Sequence, residues 1–171
     1  GFDAVIGNPP FLGGQKLTGA MGTNIRDWFV HGLAEGTRGS ADLVAYFLLR
    51  AFSLINPQGT LGLIATNTVA QGDTREVGLD RMVAAGFTIH RSIQSQSWPS
   101  QSANLEYAAV WGSRFSLADN VARVAGGVAV DLIGPNLAVG GSLGPPQRLK
   151  ENGGMAFQGC IVLGMGFVIT E

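Results

Sequence analysis

A short segment near the start of the sequence, Asn8, Pro9, Pro10 and Phe11, carries side chains whose types and order could do chemistry. Asn8 offers a side-chain carbonyl oxygen, and Pro9 offers a main-chain carbonyl with no N–H of its own to compete. Two such acceptors could hold both N–H bonds of an amino group on a planar base, so that its nitrogen can attack a methyl sulfonium. Phe11 adds a face for base stacking, which is worth about 1–3 kcal/mol. The alternative is a turn that only closes a strand.

If that base is an adenine in a DNA duplex, its amino group is engaged in pairing and hidden in the base stack. An enzyme that modifies it must first turn the nucleotide out of the helix. The segment therefore predicts base flipping and double-stranded DNA as the partner.

The elements around this segment must place it at the edge of a sheet. Phe2 to Gly7 is a short apolar run that predicts a strand, and the two prolines after it prevent its continuation. In open α/β sheets, ligands bind at the carboxyl ends of the strands, which is where Asn8 would lie.

The rest of the chain predicts alternating helices and strands. A helix over 24–35 would place Ile25, Trp28, Phe29 and Leu33 on one side, after a loop over 12–23. Further elements are a helix from Ser40–Asp42 to a turn at 56–59, a strand over 60–66, a helix over 74–85, and strands over 87–93 and 105–111. This order predicts an α/β sheet whose last two strands form an antiparallel edge hairpin.

A change in composition after Ser116 predicts two domains. Residues 1–116 would form the first, and residues 117–171, which are rich in Gly and Val, would form a linker and the beginning of a β-rich module. At 171 residues the chain is long enough for one well-buried domain and the start of another.

Three segments carry a resemblance to a known family. FDAVIGNPPF at 2–11 resembles motif IV of the amino-methylating class I DNA methyltransferases, and GSADLVAYF at 39–47 and GTLGLIATN at 59–67 resemble the next two motifs. The run 66–75 is similar to large fused restriction-methylation enzymes, including the MmeI-like group, and to phage-defence methylases. The resemblance covers roughly residues 1–115 and implies the C-terminal half of a Rossmann-like methyltransferase sheet, followed by the start of a target-recognition domain.

The resemblance implies that Asn8, Pro9, Pro10 and Phe11 bind and orient the target adenine. The methyl donor would then be S-adenosylmethionine. The same Asn-Pro-Pro loop also occurs in enzymes that methylate protein glutamine or ribosomal RNA, so these activities remain alternatives.

Five further residues are candidates for the same cleft. Asp42 and Phe47 would border the methyl-donor pocket, and Thr66 and Asn67 would lie beside it at the end of a strand. Lys16 is a candidate phosphate contact. Each has a plainer interpretation: Asp42 is a good helix N-cap, Phe47 at helical spacing suits a core, and a surface lysine is usually only solvated.

The family's Gly-rich cofactor turn does not precede Asn8, and Leu163 to Gly166 offers only a weak Gly-x-Gly match. We therefore expect the chain to be a fragment that needs the remainder of a parent polypeptide for activity. A module that recognises DNA without catalysing a reaction is the other alternative.

Several classes of function are disfavoured by composition. The net charge of −1 gives no overall attraction to DNA, so DNA contacts must be local. Apolar runs stay well short of the about 18 residues that a membrane span needs. His31, His90 and Cys160 lack partners at ligand spacing, which argues against a metal site, and a single cysteine suits the reducing cytoplasm.

Overall fold

The computed structural model describes residues 1–37, 39–99, 106–118 and 120–139, and the statements below refer to these ranges. They form a six-stranded sheet in the order β1-β2-β4-β3-β5-β6. The strands are β1 (Phe2–Gly7), β2 (Ile55–Thr66), β3 (Thr88–Ser97), β4 (Glu106–Ser113), β5 (Arg123–Ala125) and β6 (Val128–Val130). The mixed α/β fold predicted from the sequence is confirmed.

Five helical segments accompany the sheet. They are α1 (Gly14–Met21), α2 (Thr23–Trp28), α3 (Leu43–Leu54), α4 (Gly72–Arg75) and α5 (Arg81–Ala84). Helix α2 continues as a π-helical turn over Phe29–Leu33, a π-helical turn over Glu76–Asp80 joins α4 to α5, and a 3-10 turn over Asn67–Ala70 follows β2.

The core lies between α3, the helical run 72–84 and one face of the sheet. Alternate residues of β2, Leu61, Leu63 and Ala65, are buried and pack with Leu48 and Met82. The period of two along β2 and the helical spacing along α3 bring these side chains to one interface. The parallel pairing of β1 with β2 then places the carboxyl ends of the two strands side by side.

The segment 12–23, predicted to be a loop, instead contains α1. Gly14 and Gly19 lower its helix propensity, but Leu17 is buried in a second core cluster with Tyr46. Tertiary packing therefore outweighs the local preference.

The helix predicted over 24–35 is present over 23–33, and its predicted apolar side is partly right, since Phe29 and Leu33 pack against the second core cluster. Ile25 and Trp28 are exposed, whereas Val30 and Ala34 are buried. The core contacts of this helix therefore begin at Phe29, where the π-helical turn starts, and not at Ile25.

The hairpin of β3 and β4 is antiparallel as predicted, but it is not at the edge of the sheet. β4 pairs antiparallel with both β2 and β3, and β5 pairs parallel with β3. Ala125, Ile133 and Leu137 join the core that Leu61 and Leu63 belong to. The division after residue 116 stays a prediction, although the segment just after it completes the first core.

Residues 140–171, including Cys160 and the weak Gly-x-Gly match, lie outside the described residues. Over the described ranges, no helix is both long and apolar enough to cross a membrane.

Candidate active site

The segment after β1, residues 8–11, leaves the sheet with both buried and exposed side chains. Pro9 is buried, whereas Asn8 is exposed and Phe11 is 40% exposed. β1 runs parallel to β2, with Gly7 opposite Leu63, so the segment emerges beside the carboxyl end of β2. An exposed amide and an exposed ring at this edge are available to a ligand.

Asp42 fastens this segment to the rest of the sheet edge. Its Oδ1 accepts a hydrogen bond from the Gly14 amide at 2.9 Å, and its Oδ2 accepts one from the Thr68 hydroxyl at 2.6 Å. Its own amide donates to Thr74 Oγ1 at 3.0 Å, and the Leu43 amide donates to the Leu12 carbonyl at 2.9 Å.

Asp42 also stands at the N-cap position of α3, as predicted, but its side chain makes no capping hydrogen bond there. The carboxylate turns to other partners instead. It joins the start of α1 to the turn after β2, and thereby holds the segment that follows Phe11.

Gly14 allows this close approach. A Cβ atom at that position would clash with the carbonyl groups of Ser40 and Ala41. Only glycine lets α1 begin against residues 40–41, with its amide within reach of Asp42.

The edge contains a pocket of about 430 Å³, which we call the β1–β2 pocket. Its lining residues are Phe11, Leu12, Gly13, Asp42, Thr66, Asn67, Thr68 and Glu106. Four predicted residues therefore meet at one place: Phe11, Asp42, Thr66 and Asn67. An aromatic ring, hydrogen-bonding groups and moderate volume suit a planar polar ligand.

Hydrogen bonds order the polar wall of this pocket. Thr68 gives its single hydroxyl hydrogen to Asp42, so Thr66, whose Oγ1 lies 2.7 Å from that of Thr68, must be the donor between the two. Asn67 Nδ2 donates to Glu106 Oε2 at 3.1 Å, and Ser95 Oγ donates to the same oxygen at 2.6 Å.

Asp42 and Glu106 are the two carboxylates of the lining. A carboxylate accepts hydrogen bonds and repels phosphate. The pocket therefore favours a ligand that presents N–H groups or positive charge, and phosphates of a nucleic acid would have to lie outside it.

Five predicted residues lie outside this lining: Asn8, Pro9 and Pro10, which precede Phe11 along the chain, and Lys16 and Phe47. Lys16 lines a neighbouring hollow of about 350 Å³ with Gly13, Gly14, Ser40 and Asp42. Phe47 is 43% exposed on α3 and stands outside the lining of the β1–β2 pocket. Its exposure excludes the core interpretation within the described structure, and the functional roles of these five residues stay predictions.

Glu106 and Thr68 are pocket residues that sequence reasoning missed. The antiparallel register places Thr66 opposite Tyr107, which brings Glu106, the first residue of β4, beside Asn67. The sequence does show a carboxylate, Glu106, at the start of an apolar strand. Its pairing with Asn67 could not be predicted, because that pairing depends on the order of the strands in the sheet. Trp98, also missed, packs edge-on against Tyr107 with 5.4 Å between ring centroids.

Comparisons with known proteins identify the family of this chain. The family model of the Eco57I restriction-modification methylase matches residues 1–95, which is more than half of the chain. No curated protein matches by sequence at a significant level.

Among solved structures, the type IIL restriction-modification enzyme MmeI in complex with DNA is similar with a TM-score of 0.62 and 20% identity over 79% of this chain. The chain spans only 19% of MmeI, and at this identity the likeness concerns the fold alone. The methyltransferase subunit of a type I restriction-modification system from Streptococcus thermophilus matches with a TM-score of 0.42 and 12% identity, over 66% of this chain and 23% of that one. By the match over residues 1–95, this chain belongs to the Eco57I restriction-modification methylase family.

Proposed function

We propose that this chain is the catalytic half of a DNA methyltransferase that methylates the exocyclic amino group of a flipped adenine, in restriction-modification or phage defence. The observation that carries the proposal is the Asn-Pro-Pro-Phe segment at the end of β1, whose Phe11 ring opens onto a pocket rich in acceptor groups. Membership of the restriction-modification methylase family supports the same reaction class.

In this proposal the flipped adenine stacks on Phe11. Asn8 Oδ1 and the Pro9 carbonyl each accept one N–H of the amino group, which orients the nitrogen lone pair for attack. Methyl transfer would form an N–C bond as the carbon–sulfur bond of the donor breaks, and the nitrogen would then release one proton to water. Positioning of this kind is the main contribution that the protein can make to such a transfer.

S-adenosylmethionine is the methyl donor that we propose, and it supplies a methyl group on a positively charged sulfur. The acidic lining of the β1–β2 pocket fits a cation. Asp42 and Phe47 are the residues proposed to border this donor, with Asp42 already held by Gly14 and Thr68.

We further propose that the remainder of a parent polypeptide packs beside β1 and provides most of the donor site. Phe2 is 58% exposed and Ile6 is 86% exposed on this strand, so apolar surface is available for such packing. The active species would then be cytoplasmic and bind double-stranded DNA, with Lys16 as a candidate phosphate contact.

The test is transfer of a tritiated methyl group from S-adenosylmethionine to unmethylated DNA by the full-length polypeptide that carries this sequence. We expect label in N6-methyladenine after enzymatic digestion of the DNA. Label in cytosine would overturn the adenine assignment, and DNA binding without any transfer would favour the non-catalytic recognition module. Label in a release-factor peptide or ribosomal RNA, but not in DNA, would favour the other methyltransferases.

A further inference from the structure

The amide of Asn67 is held in one orientation by its neighbours. Its Nδ2 lies 3.1 Å from Glu106 Oε2, and the same oxygen accepts the Ser95 hydroxyl at 2.6 Å. A carboxylate only accepts hydrogen bonds, so the amide nitrogen, and not the amide oxygen, must face Glu106. One N–H of the amide is thereby used, and the second stays available.

This second N–H is distinctive among the side chains that line the described β1–β2 pocket. Thr68 has given its hydrogen to Asp42, and Thr66 has given its hydrogen to Thr68. Asp42 and Glu106, when ionised, have no hydrogen to give, and the remaining lining residues, Phe, Leu and Gly, carry no side-chain donor. Asn67 therefore supplies the uncommitted side-chain donor of the described lining.

A base held by its amino group needs such a donor. In adenine the amino group is flanked by the acceptor nitrogens N1 and N7, and the Asn8 and Pro9 carbonyls leave both of these without a partner. An acceptor that loses its water without gaining a new partner weakens binding of the base. Asparagine is a common partner of adenine at this edge.

We propose that Asn67 donates a hydrogen bond to a ring nitrogen beside the target amino group, and that Glu106 is the positioning residue that turns the amide to do so. This inference rests on the proposed function. It assigns to Asn67 the selection of a base whose amino group is flanked by an acceptor nitrogen. A base that presents an N–H at that place would meet the donor of Asn67 with a donor of its own.

The experiment measures kcat/KM of the full-length polypeptide on DNA that carries adenine, 1-deazaadenine or 7-deazaadenine at the target position. We expect the unsubstituted protein to lose about tenfold with one of the two analogues, the size of one hydrogen bond. Asn67→Ala should lose about tenfold on adenine and nothing further on that analogue, because the two changes remove the same hydrogen bond.

Two variants of Glu106 test the positioning role. Glu106→Ala should reduce the discrimination between adenine and the analogue as Asn67→Ala does, because the amide is then free to turn. Glu106→Gln should restore most of it, because the glutamine oxygen can still accept from Asn67 and Ser95. Equal losses in the Gln and Ala variants would contradict a role that depends on hydrogen bonding.

Asn56 supplies a matched control. Its amide donates to the Asp3 carboxylate at 2.9 Å near the other end of β2, so it repeats the amide–carboxylate pair away from the pocket. Asn56→Ala should leave the discrimination between adenine and both analogues unchanged.

The two levels of the proposal fail differently. If the unsubstituted protein transfers no methyl group to a DNA amine, the proposed function is wrong and the role of Asn67 falls with it. If it is active but Asn67→Ala keeps the same ratio of kcat/KM between adenine and the analogue as the unsubstituted protein, only the role of Asn67 is overturned.

Discussion

Two hollows of similar size lie in the described structure, yet they differ in what their polar groups do. The β1–β2 pocket measures about 430 Å³, and a second hollow, which we call the groove, lies between β3 and residues 137–139 and measures about 520 Å³. In the groove, the Ser92 hydroxyl is buried and donates to the Leu137 carbonyl, while the Arg91 guanidinium lies over the Trp111 ring at 5.7 Å. These polar groups hold strands and loops together.

In the β1–β2 pocket, by contrast, the carboxylates of Asp42 and Glu106 accept the hydrogen bonds that order the wall. The lining of this pocket also includes four of the residues predicted from the sequence, so the smaller hollow is the better candidate site. Its position at the carboxyl ends of β1 and β2 agrees with this choice, and volume alone would have selected the groove.

The largest expected effect is that of Asn8→Ala in the full-length polypeptide. Loss of an acceptor that acts on the target amine should lower the rate of methyl transfer by about 100-fold or more. Binding of S-adenosylmethionine, measured by calorimetry, should stay nearly unchanged. Gln94→Ala, in an exposed side chain that lines the groove, is the control and should keep its rate. A rate retained in Asn8→Ala would contradict the role of Asn8.

Thr68→Val tests the network behind the pocket and should have the next largest effect. The change removes the donor to Asp42 Oδ2 at nearly constant volume, so a part-buried carboxylate oxygen loses its partner. We expect the free energy of unfolding to fall by about 1–2 kcal/mol, measured with urea, and the transfer rate to fall as well, because the segment after Phe11 loses an anchor. An unchanged rate would show that the anchor does not act on the site.

Ser92→Ala tests the groove. The hydroxyl is buried and donates to the Leu137 carbonyl at 2.9 Å, so its removal should lower the free energy of unfolding by about 1 kcal/mol. Methyl transfer per folded molecule should not change. A loss of transfer comparable to that of Asn8→Ala would make the groove, and not the pocket, the better candidate.

The smallest effect concerns His90, whose Nε2 lies 2.7 Å from Ser113 Oγ. Burial, and then the positive charge of Arg123, lower the pKa of His90. The unfolded chain thus binds a proton at His90 more readily than the folded one. The contribution of neutral His90 to the free energy of unfolding is therefore full above about pH 6.5 and declines as the pH falls below it. In urea titrations between pH 7.5 and 5.5, His90→Gln should show a shallower decline than the unsubstituted protein, with His31 common to both.

The sequence was sufficient to predict that Phe11, Thr66 and Asn67 lie at one edge of the sheet, because the ends of β1 and β2 are marked locally. Two prolines end β1 at Asn8, and the apolar run of β2 ends at Thr66, so both sets of residues had to meet at one edge of the sheet. That Asn67 turns its amide to Glu106 could not be predicted, since it depends on the pairing of β4 with β2.

The interior position of β4 illustrates the same limit. Ala108, Ala109 and Val110 are consecutive and all buried, the pattern of a strand covered on both faces. The apolar run was visible in the sequence, but chain order suggested an edge. Helix α1 was missed for a different reason. Its glycines predict a loop, whereas the helix is stabilised by contacts of Leu17 with residues that are distant in the sequence.

The close fit at Gly14 has a consequence for protein engineering. Because a side chain there would clash with residues 40–41, and because its amide reaches Asp42, the segments 12–17 and 40–43 can only be exchanged together. A chimera that takes the Asn-Pro-Pro-Phe loop from one family member and the start of α3 from another would combine two segments that do not fit each other at this contact. Libraries that aim to alter the target base should therefore keep Gly14 and Asp42 constant and diversify the surrounding positions.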